Sequence, residues 1–101
     1  MSYVGQVLEV TTFALRPGVP VGDFLAADKA VADSFVSKLP GFIRRQTAAA
    51  EDGTRLLLAW WEDAASADAS MAGFATAPAT AAFMALIQAD TMAMTRYGID
   101  D

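Results

Sequence analysis

Leu56-Leu57-Leu58-Ala59-Trp60-Trp61-Glu62 is an apolar run that ends on two adjacent tryptophans. Successive residues of a β-strand point to opposite faces of the sheet, so Trp60 and Trp61 place a large ring on each side. A strand with a large ring on each face must be covered on each face. The chain's own helices can cover one side, and a second sheet, most simply from a second copy, can cover the other.

The neighbouring segments build the rest of that sheet. Gln6 to Leu15 is rich in β-branched and apolar residues and is expected as strand one, buried on both faces. Arg16-Pro17-Gly18 ends it with turn chemistry, and Pro20 suits the first turn of a helix. From Val21 to Leu39, Phe24, Ala27, Val31, Phe35 and Leu39 recur at helical spacing, a single apolar stripe that Pro40-Gly41 stops. Phe42 to Ala48 is expected as strand two. The glycine of Glu51-Asp52-Gly53-Thr54 turns the chain into strand three, Arg55 to Glu62, as a hairpin. A second helical region opens at Asp63, with Asp63 or Ser66 as its cap. Thr76-Ala77-Pro78 interrupts it before a short helix that turns Phe83, Leu86 and Ile87 inward. Thr91 to Tyr97 is expected as strand four, ended by Gly98. The order β-α-β-β-α-β predicts an α+β, ferredoxin-like split βαβ fold with a four-stranded antiparallel sheet, as one domain over residues 1–101.

Composition narrows the chemistry. With no cysteine there is no disulfide, thiolate nucleophile or thiolate metal site, and with no histidine the usual haem and copper ligand is missing. The acids are scattered singles or surface-like pairs such as Glu51-Asp52, so no metal site is expected. A net charge of -5 without a basic patch argues against nucleic acid; Arg44-Arg45 is the one basic pair, and on a strand its members face opposite ways. No start resembling a secretory signal and no apolar run long enough for a membrane helix is seen, since residues 69–89 are small and polar with Pro78 inside. A cytoplasmic protein without membrane contact is the expectation.

The chain resembles the dimeric α+β barrels of the antibiotic biosynthesis monooxygenase type. The shared features are Leu15-Arg16-Pro17-Gly18, then Leu39-Pro40-Gly41-Phe42, the hairpin ending Leu58-Ala59-Trp60-Trp61-Glu62-Asp63, and the helical stretch Phe74 to Phe83. The resemblance implies a homodimer whose sheets pair into a barrel. It also implies a monooxygenase without cofactor, acting on a small hydrophobic aromatic compound. In such chemistry, aromatic walls hold an electron-rich ring and a polar donor steadies the charge on its oxygen. Trp60, Trp61, Phe74, Phe83 and Tyr97 can supply walls, while Arg44, Arg96, Thr11 and Tyr97 can supply donors, with Tyr97 foremost among them. With no histidine, the proton can leave to water or to the oxidised substrate itself, and Glu9 is a second candidate base if its strand face turns toward the pocket. Met71, Met84, Met92 and Met94 suit either packing or the lining of an apolar pocket.

The haem-degrading proteins of similar layout carry an asparagine, a tryptophan and a histidine at positions that fall here on Thr11, Phe74 and Met84, so haem chemistry is not expected. A non-catalytic ligand-binding or structural dimer, and isomerase- or decarboxylase-like chemistry on the same fold, are the competing functions.

Overall fold

The computed structural model describes residues 4–100. Strand β1 (Val7–Leu15) leads into helix α1 (Val21–Ser34) and a 3-10 turn (Val36–Lys38). Strands β2 (Phe42–Ala49) and β3 (Arg55–Trp61) form the hairpin, followed by α2 (Ala64–Phe74), α3 (Pro78–Ala85) and β4 (Ile87–Gly98). The sheet runs β2-β3-β1-β4, antiparallel throughout, with the two most apolar strands at its centre. This is the α+β, ferredoxin-like arrangement. Among the described residues no helix is long and apolar enough to cross a membrane.

The helices cover one face only. Beneath them Phe13, Phe24 and Phe83 meet with ring centroids 5.6–6.2 Å apart, and Trp61 sits edge-on to Phe42 at 5.7 Å. Trp61 is 1% exposed. On the other face Leu8, Val10, Leu56, Leu58 and Trp60 are only half-buried, because no element among the described residues packs over them. The two tryptophans therefore do face opposite ways.

Two elements differ from expectation. Helix α1 stops at Ser34 rather than Leu39, where Ser34 Oγ donates to the carbonyl of Ala30 and the chain tightens into the 3-10 turn that buries Val36. Strand β4 begins at Ile87, four residues before Thr91, although Gln88-Ala89-Asp90 contains no strand former. Its early part is anchored from outside: Gln88 Nε2 donates to the carbonyl of Leu15 at 2.9 Å, and Arg16 Nε to that of Ile87 at 3.3 Å. Where the β1–β4 register breaks between Thr12 and Ala14, Thr91 Oγ1 accepts from Ala14 N at 2.9 Å and replaces a ladder bond.

Gly41 joins the 3-10 turn to β2 at φ +82°, and a Cβ there would overlap Ser66 Oγ and Cβ on α2. Gly41→Ala should therefore cost about 2–4 kcal/mol, from the left-handed backbone and the overlap together. An unchanged urea midpoint would contradict this close approach.

Asp63 is the N-cap of α2, accepting from Ser66 N at 2.8 Å. Hydrogen bonding from Ser66, by its side chain first and then its backbone, holds the Asp63 carboxyl below its ordinary 3.8. A lowered folded-state value stabilises the protein above the unfolded value, and that contribution fades as pH falls through 3.8 toward the folded-state value. Asp63→Asn keeps the cap without the titration. Its melting temperature should lie below that of the parent at neutral pH and converge on it in acid; a constant gap across the pH series would contradict the linkage.

Candidate functional site

The strand register sets rows of side chains across the helix-facing side of the sheet. The first is Phe42–Trp61–Val7, the second Arg45–Ala59–Glu9–Arg96 and the third Thr47–Leu57–Thr11–Met94. The second row puts a guanidinium and a carboxylate on either side of an alanine, the smallest side chain of the three rows. Above it the helices contribute Phe74, Ser70 and Met71 from α2, Phe83 from α3, and Val36 from the 3-10 turn. Between floor and roof lies a cavity of about 220 Å³. Its mouth lies at Met71 and Met94, the two exposed residues of its lining.

The cavity is apolar with a few polar groups, of which Glu9 and Arg45 are held by partners outside it. Glu9 is 7% exposed, and Arg96 Nε and Nη2 reach its Oε2 at 3.3 and 3.1 Å. Arg96 Nη1 lies 2.8 Å from Asp68 Oδ1, and its Nη2 lies 3.8 Å from Met71 Sδ, so this one side chain ties β4 to α2 beside the mouth. Hydrogen bonding to Asp68 and then to Glu9 outweighs desolvation and raises the Arg96 guanidinium above its ordinary value. Arg45 donates from Nε and Nη2 to Asp28 Oδ1 at 3.2 and 2.7 Å, with its guanidinium 5.9 Å from the Phe83 ring centroid. Trp61 lines the cavity, and its indole Nε1 is buried without a hydrogen-bond partner. A buried donor left empty is unfavourable unless a ligand fills it.

Of the residues singled out from sequence, Glu9, Thr11, Trp61, Phe74, Phe83, Met92 and Met94 line this cavity, and Arg96 stands at its edge. Four do not. Met84 packs against the core from α3 outside the lining. Tyr97 is 54% exposed on the open face, opposite Leu8. Trp60 and Arg44 lie together on that same face, the guanidinium 5.0 Å from the ring centroid and bonded to Gln46.

Arg45 enters in place of Arg44 because the β2–β3 register shifts between Phe42 and Arg44. Without the shift Phe42 and Arg44 would share a face; with it Phe42 and Arg45 do. Sequence reasoning missed Arg45, Ala59 and Ser70. Ala59 was visible as the residue two before Trp61, on the same face by the strand period. Among the described residues no group of three or more histidine, cysteine, aspartate or glutamate side chains could hold a metal.

No family model matches the sequence, and no curated protein matches it. Solved structures do. SnoaB from Streptomyces nogalater, a cofactor-independent oxygenase, is similar with a TM-score of 0.78 at 20% identity, over 96% of this chain and 95% of SnoaB. A candidate antibiotic biosynthesis monooxygenase from Caulobacter crescentus has a TM-score of 0.75 at 13% identity, over 98% of this chain and 93% of its own. A dimeric ferredoxin-like protein of unknown function from Jannaschia sp. has 0.69 at 16% identity, over 94% of this chain and 100% of its own. The chain thus has an antibiotic biosynthesis monooxygenase-like, ferredoxin-like fold.

Proposed function

We propose that the protein is a cofactor-independent oxygenase that acts on a small hydrophobic aromatic compound held between sheet and helices. The observation that carries this is an aromatic, methionine-lined cavity with Trp61 among its lining residues, whose indole N–H is buried and unpartnered. Its size agrees: a cavity of about 150 Å³ admits benzene, so 220 Å³ suits a bicyclic ring. Larger rings would extend through the mouth between Met71 and Met94.

The chemistry asks little of the protein. An activated C–H of the substrate is lost as a proton, and the carbanion gives one electron to dioxygen. The radical pair joins as a C–OOH bond, and loss of water leaves a carbonyl, so one oxygen atom ends in product and one in water. The protein's part is to favour the anion. In this reading Trp61 Nε1–H and Thr11 donate to its oxygen and Glu9 accepts the proton; all three residues line the cavity, which supports the assignment. Similarity to SnoaB supports the assignment.

We further infer that the open sheet face is closed by a second copy, which makes the assembly a homodimer; the Jannaschia protein of similar fold is dimeric. Oxygen consumption with 1,4-dihydroxynaphthalene and anthrone tests the activity. Turnover above the uncatalysed rate is the expected result, and tight binding without oxygen uptake would overturn it. The second reading, a dimer that binds its ligand without reaction, is favoured by one feature: Glu9 and Arg45 are both already neutralised, by Arg96 and Asp28.

A further inference from the structure

The two ion pairs at the cavity are lopsided in a complementary way. Both Arg96 donors bind the same Glu9 oxygen, Oε2, so Oε1 has no partner among the described residues. Both Arg45 donors bind the same Asp28 oxygen, so Arg45 Nη1 has none either. Each side chain is more than nine-tenths enclosed: that of Arg45 is 8% exposed and that of Glu9 9%. A free acceptor and a free donor thus line the same cavity from β1 and β2, with Ala59 of β3 between them. Their backbones stand two strand spacings apart, roughly 9.5 Å, with the short side chain of Ala59 leaving the row open between them.

We propose that Glu9 and Arg45 are the two poles of the binding site and that Ala59 is the floor that decides which rings enter. The ligand is a flat bicyclic compound with a hydroxyl on the edge that meets Glu9 Oε1 and a carbonyl or oxyanion on the edge that meets Arg45 Nη1. This rests on the substrate occupying the cavity as proposed above, and it adds orientation and chemical class. Any side chain longer than alanine at position 59 occupies the place of the ring. The ion pairs hold both poles in place while leaving one group of each unspent.

Calorimetry with three stable tetralin-type probes tests the assignment without any turnover. 6-Hydroxy-1-tetralone carries both groups on opposite edges, 1-tetralone only the carbonyl, and 5,6,7,8-tetrahydro-2-naphthol only the hydroxyl. The two-group probe should bind tightest, each single-group probe about tenfold more weakly. Glu9→Gln should weaken the two hydroxyl-bearing probes and spare 1-tetralone. Arg45→Met should weaken the two carbonyl-bearing probes and spare the naphthol. Ala59→Leu should weaken all three by more than about tenfold, with Ala59→Ser retaining them. Equal affinity of the wild type for the three probes overturns the proposal even if no variant folds, as does the opposite pairing of variant and probe, or a folded Ala59→Leu that binds like the parent. The expected pattern without oxygen uptake on any substrate would remove the oxygenase assignment and leave the two-pole site standing. Oxygen uptake with variants that shift all probes equally would do the reverse.

Discussion

Trp61→Phe should lower turnover by about 10²–10³-fold, the usual effect of removing one donor that serves a developing oxyanion. The substitution keeps an aromatic ring against Phe42 but deletes the Nε1–H that the protein leaves unpartnered. Stability should move little, by about 1–2 kcal/mol, since the small void left by the missing ring is partly offset by removal of an unsatisfied buried donor. If the donor acts on charge that forms only during reaction, kcat falls while KM holds; a rise in KM alone would mark it as a binding contact. Trp60→Phe, on the opposite face, is the control and should retain the rate. A Trp61→Phe enzyme with undiminished kcat, on any substrate the parent turns over, would contradict the role given to the indole.

The period of two residues in a strand made much of this legible and also marks where legibility ends. Trp60 and Trp61 announce two covered faces, and every second residue from Trp61 back through Ala59 and Leu57 shares the helix-facing side. The same arithmetic applied to β4 puts Met92, Met94 and Arg96 on one face and Tyr97 on the other, as the structure has them. Tyr97 is foremost among the donors expected from sequence, but parity with the methionines already puts it on the other face. Arg45 is different. Parity alone, counted from Phe42, selects Arg44, and only the bulge between Phe42 and Arg44 reverses the choice. The bulge lies where Gly41 approaches Ser66 and Phe42 meets Trp61, contacts between residues distant in sequence. The partners Asp28 and Asp68 were invisible for the same reason, since each stands on a helix whose rotation over the sheet no local pattern states. The early start of β4 likewise depends on Leu15 and Arg16, more than seventy residues away.

Leu58→Glu should turn a dimer into folded monomers. Leu58 pairs with Val10 on β1 and Gln46 on β2, at the middle of the face that the helices leave open. Around it Leu8, Leu56 and Trp60 are half-buried in the single chain, and Tyr97 is exposed beside Leu8. A sheet face this apolar, on two central strands, is stable in water only when something covers it. In a two-fold dimer that face meets its own copy, so each substitution counts twice. Burying one uncompensated carboxylate costs about 3 kcal/mol or more, and doubling it gives about 6 kcal/mol, roughly a 10⁴-fold weaker association. Sedimentation equilibrium at micromolar protein reads the outcome directly. Wild-type protein that sediments as a monomer would refute sheet-to-sheet pairing outright. A Leu58→Glu variant that remains as dimeric as the parent would place the contact elsewhere, on the helices. The cavity lies on the other side of the sheet, and among the described residues one chain supplies its lining. Monomeric Leu58→Glu should therefore keep its affinity for 6-hydroxy-1-tetralone, which separates loss of assembly from loss of the site.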